Sequence, residues 1–192
     1  MNKKTDRRAQ YTQSVIKDAF VKLLRQKHIG KITVTEICKL AEINRATFYL
    51  HFHDPYDLLE KLEAECGAKL VEALSELLRD DMINTHIYNL PHHIRTSIHA
   101  DEVTALLYAH PSANNLRRHL FDGLAAILKP KFMSWFGFTE HEAHAVFTFT
   151  FTGYQAVDRY LHEANPPAAE TERIKGIIGN MIGQGLIAGN NN

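Results

Sequence analysis

Residues 45 to 51, RATFYLH, combine side chains that proteins use to recognise double-stranded DNA. Arg45 has the planar guanidinium that hydrogen-bonds to O6 and N7 of guanine, and Ala46 is small enough to contact a thymine methyl group. Thr47 adds a hydroxyl to the same turn. The pattern predicts a helix that contacts base edges in the major groove, where an Arg–guanine pair discriminates by about 1 to 3 kcal/mol against a wrong base.

Neighbouring residues predict how this helix is held. Thr33 followed by Glu36 has the spacing of a capping box and predicts a short helix to about Ala41. Asn44 is expected to cap the next helix, over residues 45–52. Two short helices joined by about three residues form a helix-turn-helix, which places its second helix in the major groove.

The flanking segments predict a core behind the helix-turn-helix. Apolar residues recur at helical spacing between residues 8 and 28, which predicts a first helix with one buried face. Phe48 and Phe52 lie four residues apart, so they are expected to pack together on the back of the groove helix. Asp54 and Pro55 then predict the start of a fourth helix, which continues to Leu78.

The distribution of charge agrees with an anionic partner for the N-terminal part. The chain of 192 residues has 22 basic and 22 acidic side chains and no net charge. Residues 1–53, however, hold eleven basic and four acidic side chains, a net charge of +7, so the remaining residues carry −7. Such asymmetry is typical of chains in which the basic part binds nucleic acid.

The rest of the sequence predicts an all-α protein. Helical periodicity and the positions of prolines predict helices at about residues 86–99, 101–109, 113–136, 140–164 and 169–188. Pro130 lies within the third of these and is expected to kink or split it. The alternating segment FTFTFT at 147–152 has the period of a strand, but no second strand is predicted to pair with it, so we interpret it as helical.

With these residues in place, the chain resembles the TetR family (TetR/AcrR-like) of bacterial transcriptional regulators. The resemblance runs from about Thr12 to Leu62 and is carried by TFYLHF followed by DPYDLL. It implies a three-helix DNA-binding domain at residues 1–53 and a larger helical domain at 54–192. It also implies that the DNA contacts are made by Thr33, Thr35, Arg45, Ala46, Thr47, Tyr49 and His51.

These assignments carry their own predictions and competing interpretations. We expect Arg45→Ala to relax base preference, and Tyr49→Phe to weaken binding to all sequences alike, because Tyr49 and His51 are assigned to the phosphates. Tyr49 also fits a structural role over the small core.

Two residues depart from the family pattern. Glu42 stands at a turn position usually held by Gly, so either Glu42 adopts the tight conformation or the turn differs slightly. Pro55 stands where a Lys is usual, which leaves backbone N–H groups for the phosphate.

The C-terminal residues predict a homodimer. One groove helix covers only a half-site, so a second copy and a palindromic operator are expected. The segment ERIKGIIGNMIGQGLIAG has an apolar stripe and a run of glycines, which cost about 1 kcal/mol each in a helix and suggest close packing of a neighbouring helix. The resemblance implies that the last two helices pair with those of a partner as a four-helix bundle. The expected interface comprises Ile174, Ile177, Ile178, Gly179, Met181, Ile182 and Gly183. An ordinary terminal helix packed within one subunit is the alternative.

The resemblance also implies a pocket for a small-molecule effector in the C-terminal domain, and a repressor released from its operator by that effector. Its candidate lining is Tyr108, His110, Phe132, Trp135, Phe147, Thr148, Phe151 and Tyr154. An aromatic stripe at helical spacing is also typical of a core, and a protein partner in place of a metabolite is the alternative function. A small helical enzyme is a third and weaker alternative.

Several other classes of protein are disfavoured by the sequence. No apolar stretch reaches the roughly 18 residues of a membrane span and no signal peptide is evident, so a cytoplasmic protein is expected. Cys38 and Cys66 lack metal or disulfide spacing and are expected to be buried. His141 and His144 do not have the HExxH spacing of a zinc hydrolase. We therefore predict no enzyme activity, no metal and no cofactor.

Overall fold

The computed structural model describes residues 3–78, 93–110 and 114–188, and all regular structure within them is helical. This confirms the all-α prediction. FTFTFT lies inside a helix, whereas the predicted start of the helix at about residue 86 lies outside the described residues. The helices are α1 (Lys3–Leu24), α2 (Val34–Leu40), α3 (Arg45–Tyr49), α4 (Pro55–Leu77), α5 (residues 93–100), α6 (Glu102–Ala109), α7 (Asn114–Phe136), α8 (Glu140–Ala164) and α9 (Ala168–Ala188), with a 3₁₀ turn at Ile29–Lys31 before α2.

Side-chain caps fix the starts of the two short helices. The Glu36 amide donates to Thr33 Oγ1 at 3.3 Å while Glu36 Oε2 accepts from the Thr33 amide at 3.0 Å, which is the predicted capping box. Asn44 Oδ1 accepts from the Thr47 amide at 2.7 Å and caps α3. Both predicted caps are therefore confirmed, and they set where the groove helix begins.

Pro130 does not split α7. The helix runs without a break from Asn114 to Phe136 and contains the proline in its interior. A proline removes only one backbone hydrogen bond, and Leu128 and Phe132, on either side of it, are fully buried. The expectation of a split was therefore wrong, and the alternative of a kink stays a prediction.

The chain divides into two compact units. The first comprises Met1–Gly67 and Asp101–Arg118, and the second comprises Ala68–Ala100 and His119–Asn192. One hydrophobic core in the first unit includes Phe20 of α1, Phe48 of α3 and Leu58 of α4, together with Leu107 of α6 and Leu116 of α7. The helix-turn-helix is thus packed on residues far beyond position 53, and α6 belongs to the same unit.

A buried carboxylate joins α4 to the start of α7 within the first unit. Glu63 is almost fully buried, and its Oε1 accepts a hydrogen bond from the Leu116 amide at 3.1 Å. Its Oε2 lies 3.4 Å from Asn115 Nδ2. The first amides of a helix have no partner within the helix and carry partial positive charge. Glu63 therefore acts as a cap for α7 supplied by another helix.

The second unit has a core of leucine and phenylalanine side chains from α4, α7 and α8. Phe121 of α7 packs against both Phe147 and Phe151 of α8, with ring centroids 5.1 and 5.3 Å away. At Gly123 of α7 the helices approach so closely that an added Cβ would lie 2.4 Å from Val71 Cγ2 of α4. This glycine is required by packing within the unit.

Cys38 and Cys66 are both buried and form no disulfide, as the sequence predicted. Among the described residues, no helix combines the length and the hydropathy that a membrane span requires.

Candidate nucleic-acid interface

The turn between α2 and α3 is closed by backbone hydrogen bonds around a left-handed residue. Glu42 has a φ of 54°, and the amide of Ile43 donates to the carbonyl of Cys38 at 3.0 Å. This six-residue closure is that of a Schellman motif, in which the left-handed position is usually Gly. Glu42 therefore adopts the tight conformation, which was one of the two alternatives expected from the sequence. The turn sets the direction in which α3 leaves α2.

The back of α3 is anchored in the core. Phe48 and Phe52 are both buried, and their ring centroids are 5.8 Å apart. This confirms the predicted pair and leaves the opposite side of the helix in solvent. Arg45, Ala46 and Tyr49 are exposed there, so three of the predicted DNA-contacting side chains share one accessible face.

Arg45 and Tyr49 contact each other on this face. Arg45 Nη2 donates to Tyr49 Oη at 3.1 Å, and the guanidinium carbon lies 5.8 Å from the centre of the tyrosine ring. The hydrogen bond to Tyr49 raises the pKa of Arg45 further above its usual value. Leu50, next in the chain, is 80% exposed and was not among the sequence candidates.

The hydroxyls of Thr33 and Thr47 already form hydrogen bonds within the helix-turn-helix. Thr33 Oγ1 donates to Glu36 Oε2 at 2.9 Å, and Thr47 Oγ1 donates to Asn44 Oδ1 at 2.9 Å. Both hydroxyls thus take part in the hydrogen bonds at the helix starts, where the sequence predicted the capping box of Thr33 and the cap at Asn44. Thr35 is exposed in the first turn of α2. Their DNA contacts remain predictions.

His51 is held between α1 and α4. Its ring Nδ1 lies 3.4 Å from Gln13 Nε2, and its backbone carbonyl accepts from Lys61 Nζ at 3.1 Å. Lys61 Nζ also lies 2.9 Å from Asp57 Oδ2. Lys61 was not predicted from the sequence, although its position four residues after Asp57 on a helix is typical of such a pair.

The expected phosphate site at the start of α4 is already occupied by side chains. Asp54 Oδ1 accepts from the amides of Tyr56 and Asp57 at 2.7 and 2.9 Å. Asp57 Oδ2 accepts from the His53 amide at 2.9 Å. These backbone N–H groups therefore already donate to carboxylates of the same segment, and the expected phosphate contact stays a prediction. A short aspartate at a helix N-cap reaches the same amides that an anion would contact.

Part of the positive charge of residues 1–53 is paired with carboxylates. Within the first unit, Lys17 pairs with Glu65 at 2.5 Å and Arg25 with Glu102 at 2.8 Å. Lys27 pairs with Glu36 and, with Thr33, lowers the pKa of this carboxylate from 4.5 to about 2. Glu36 is already included in the +7 counted from the sequence, whereas Glu65 and Glu102 lie beyond residue 53, so the first two pairs make the charge that faces a partner smaller than +7.

The predicted effector-lining residues fall in different units. Tyr108 and His110 belong to the first unit, at the end of α6 and directly after it. His110 lies with its ring centroid 5.9 Å from that of His28, and burial, followed by the repulsion of His28, lowers the pKa of His110. The remaining candidates, Phe132, Trp135, Phe147, Thr148, Phe151 and Tyr154, belong to the second unit.

Within the second unit, the candidate aromatic residues are mostly core. Phe132, Phe147 and Phe151 are buried, and the last two pack on Phe121, which the sequence argument did not single out. Beside them on α8, Thr148 Oγ1 and Gln155 Nε2 are buried without a hydrogen-bond partner among the described residues. Buried polar atoms are rarely left unpaired in proteins. Both side chains can therefore form a hydrogen bond with a further polar group.

The predicted dimer residues of α9 divide by exposure. Met181 is 68% exposed and Ile177 is also exposed, whereas Gly183 is buried. The other four, Ile174, Ile178, Gly179 and Ile182, are half-buried. On α8, Phe149 is 75% exposed and Tyr160 is exposed too. These α8 side chains were missed, although their spacing of eleven residues places them on one helix face.

The chain is similar to known proteins in its fold, but it has little sequence identity with them. No family model matches the chain. A 74-residue segment is 31% identical to an HTH-type transcriptional regulator, YxbF of Bacillus subtilis (strain 168), which is uncharacterized. That segment is 38% of this chain, and it covers only 20% of the length of that relative.

Two solved structures superpose on most of the chain. The fatty acid degradation regulator FadR from Bacillus halodurans matches with a TM-score of 0.65 and 17% identity, covering 89% of this chain and 94% of that one. A TetR-family transcription regulator from Shewanella sp. PV-4 matches with a TM-score of 0.66 and 13% identity, covering 89% and 95%. The chain therefore has the fold of TetR-family regulators, as the resemblance implied. Its structural neighbours are transcription regulators and not enzymes.

Proposed function

We propose that the chain is a sequence-specific DNA-binding transcription regulator of the TetR family. The observation that carries this proposal is the exposed face of α3, with Arg45, Ala46 and Tyr49 on a helix that is capped by Asn44 and anchored by the buried Phe48. A short rigid helix that presents an arginine and small side chains fits the major groove. The match to a helix-turn-helix regulator in part of the chain supports the same function.

Selection of bound duplexes from a random library tests this proposal. The wild-type protein is expected to enrich one motif, and Arg45→Ala is expected to lose the preference for a guanine within it. Arg8→Ala removes an exposed arginine from α1 of the same unit and serves as the matched control, with overall affinity reduced and the motif kept. Enrichment of no motif by the wild-type protein would contradict the proposal. Affinity should fall steeply with salt, because bound phosphates release counterions.

We further propose that the protein acts as a homodimer on a palindromic operator. The exposed Phe149 and Tyr160 of α8 and Ile177 and Met181 of α9 support this, since large apolar side chains in such numbers favour an interface. The two helices would meet those of the partner in a four-helix bundle. Sedimentation should give a dimer for the wild type and a monomer for Met181→Asp. Tyr11→Asp is the control, because Tyr11 is equally exposed but lies on α1.

The regulator is proposed to be a repressor that a small molecule releases from DNA. Thr148 Oγ1 and Gln155 Nε2 of α8 are buried and have no hydrogen-bond partner within the described part of the chain, and they support a ligand with a polar group and an apolar body. A ligand at 100 times its Kd stabilises the protein by about 2.7 kcal/mol. A thermal-shift screen should therefore find compounds that stabilise the protein and also reduce its affinity for DNA. Thr148→Val should weaken the binding of these compounds. Compounds that stabilise the protein without affecting DNA binding would contradict release by an effector.

The sign of regulation needs its own measurement. A reporter gene placed behind the selected motif is expected to be transcribed less when the protein is present and more after an effector is added. Higher transcription in the presence of the protein alone would show an activator. Since its target is chromosomal DNA, the protein is proposed to work in the bacterial cytoplasm.

A further inference from the structure

The contact between Arg45 and Tyr49 is formed before any DNA is bound. The two residues are four apart on α3, and Arg45 Nη2 donates to Tyr49 Oη at 3.1 Å. Tyr49 is 48% exposed, and its ring also packs on Phe48. The contact therefore lies on the surface that would face the groove.

Tyr49 is itself fixed by the core. Its ring meets the Phe48 ring edge to face, with centroids 5.6 Å apart, and Phe48 is fully buried. A chain of contacts thus connects the core to Phe48, Phe48 to Tyr49, and Tyr49 to the guanidinium of Arg45. An isolated arginine side chain on a surface has many rotamers, and ordering it on binding is unfavourable.

The hydrogen bond to Tyr49 does not use up the donors that Arg45 needs. A guanidinium has five N–H groups, so four remain when one is bound to the tyrosine. Guanine requires two of them, for O6 and N7. Tyr49 accepts in this hydrogen bond, and its own O–H proton is still available to donate to a phosphate oxygen.

We propose that Tyr49 is a positioning residue that orients Arg45 toward guanine, so that Tyr49 determines base preference as well as phosphate affinity. This inference rests on the proposed DNA-binding function. It differs from the sequence-based prediction that Tyr49→Phe weakens binding to all duplexes alike. Without the hydroxyl, the arginine loses its fixed orientation, and part of the discrimination that belongs to Arg45 is lost.

The test measures how much binding depends on one atom of guanine. The duplex selected by the wild-type protein is made with 7-deazaguanine in place of one guanine. This guanine is the one at the position where Arg45→Ala no longer prefers guanine. For the wild type, the loss of the N7 acceptor is expected to reduce affinity about tenfold. For Tyr49→Phe the same replacement should reduce affinity by a clearly smaller factor. Since this factor compares two duplexes on one protein, a general weakening of phosphate contacts leaves it unchanged.

Two further variants complete the experiment. Tyr11→Phe removes a hydroxyl from an exposed tyrosine of α1 and should keep the full wild-type factor. When Tyr49→Phe is added to Arg45→Ala, the loss of affinity caused by 7-deazaguanine should not change further, because the arginine that Tyr49 positions is gone. Tyr49→Phe keeps the ring that packs on Phe48, and its helical content is checked by circular dichroism.

The outcomes separate the two proposals. If the wild-type protein selects no motif, the DNA-binding function and this inference are both overturned. If it selects a motif and Tyr49→Phe shows the full 7-deazaguanine factor, the function stands and the positioning role of Tyr49 is overturned.

Discussion

Gly176→Ala is expected to have opposite effects on the single subunit and on the proposed dimer. Apart from the backbone of its own helix, a Cβ added at Gly176 would meet no atom of the described residues within 4 Å, and the residue is exposed on α9 beside Ile177. Within one subunit the change only replaces a poor helix former with the best one, a gain of about 1 kcal/mol. For a chain of this length that raises the Tm by about 2 to 4 °C.

In the dimer, the added methyl group would lie where the helices of two subunits approach closely. An extra methyl group in a well-packed contact costs about 1 to 3 kcal/mol. Two-fold symmetry places the change in the interface twice. Because every 1.4 kcal/mol corresponds to a factor of ten in Kd, the dimer dissociation constant is expected to rise about tenfold or more, while the isolated subunit becomes more stable.

The assay combines sedimentation equilibrium over a range of concentrations with thermal unfolding at the lowest concentration. Gly123→Ala is the matched control, since its Cβ would lie 2.4 Å from Val71 Cγ2 in the same unit. Val71 is β-branched and cannot rotate away easily, so this variant should destabilise the subunit, and Val71→Ala should relieve the effect. If Gly176→Ala raises the Tm and leaves Kd unchanged, the glycines of α9 have no part in association.

Three predictions concern individual carboxylates. Glu63→Leu leaves the buried amides of α7 unpaired and should lower the free energy of unfolding, measured in urea, by about 1 to 3 kcal/mol. Glu63→Gln should lower it by less, and equal losses for the two variants would refute a role for the charge of Glu63. Glu42→Gly should stabilise by about 1 kcal/mol, since Glu42 has a φ of 54°. The hydrogen bond from Lys27, followed by those from Thr33, lowers the pKa of Glu36 to about 2. The ionised Glu36 therefore stabilises the folded protein above pH 4.5, and this stabilisation is lost as the pH falls toward 2. An NMR titration that gives Glu36 a pKa near 4.5 would contradict this.

Local features of the chain were predicted well from the sequence. The capping box of Thr33, the cap at Asn44 and the buried pair Phe48 and Phe52 all lie as expected, because each depends on residues three or four positions apart. The left-handed Glu42 was one of two alternatives expected from its position in the turn. Helix ends and the inner face of α3 are local properties, and spacing is enough to determine them.

Relations between distant segments could not be predicted in the same way. The first turn of α7 takes its cap from Glu63, about fifty positions earlier, and nothing in the spacing indicates this partner. The charge count of residues 1–53 could not show that Lys17 and Arg25 pair with carboxylates of α4 and α6. Pairing across the fold depends on which surfaces pack together, and a local pattern carries no information about that.

The sequence by itself determined that this protein is helical, where its groove helix begins, and which residues of that helix face outward, because these follow from the period of the helix and from adjacent caps. Only the tertiary structure decided which of those residues act together. It placed Arg45 against Tyr49, closed the start of α4 with Asp54 and left free space, among the described residues, where a Cβ at Gly176 would lie. The physical reason is that side-chain contacts depend on the three-dimensional packing of helices, whereas helix formation depends mainly on neighbours in the chain.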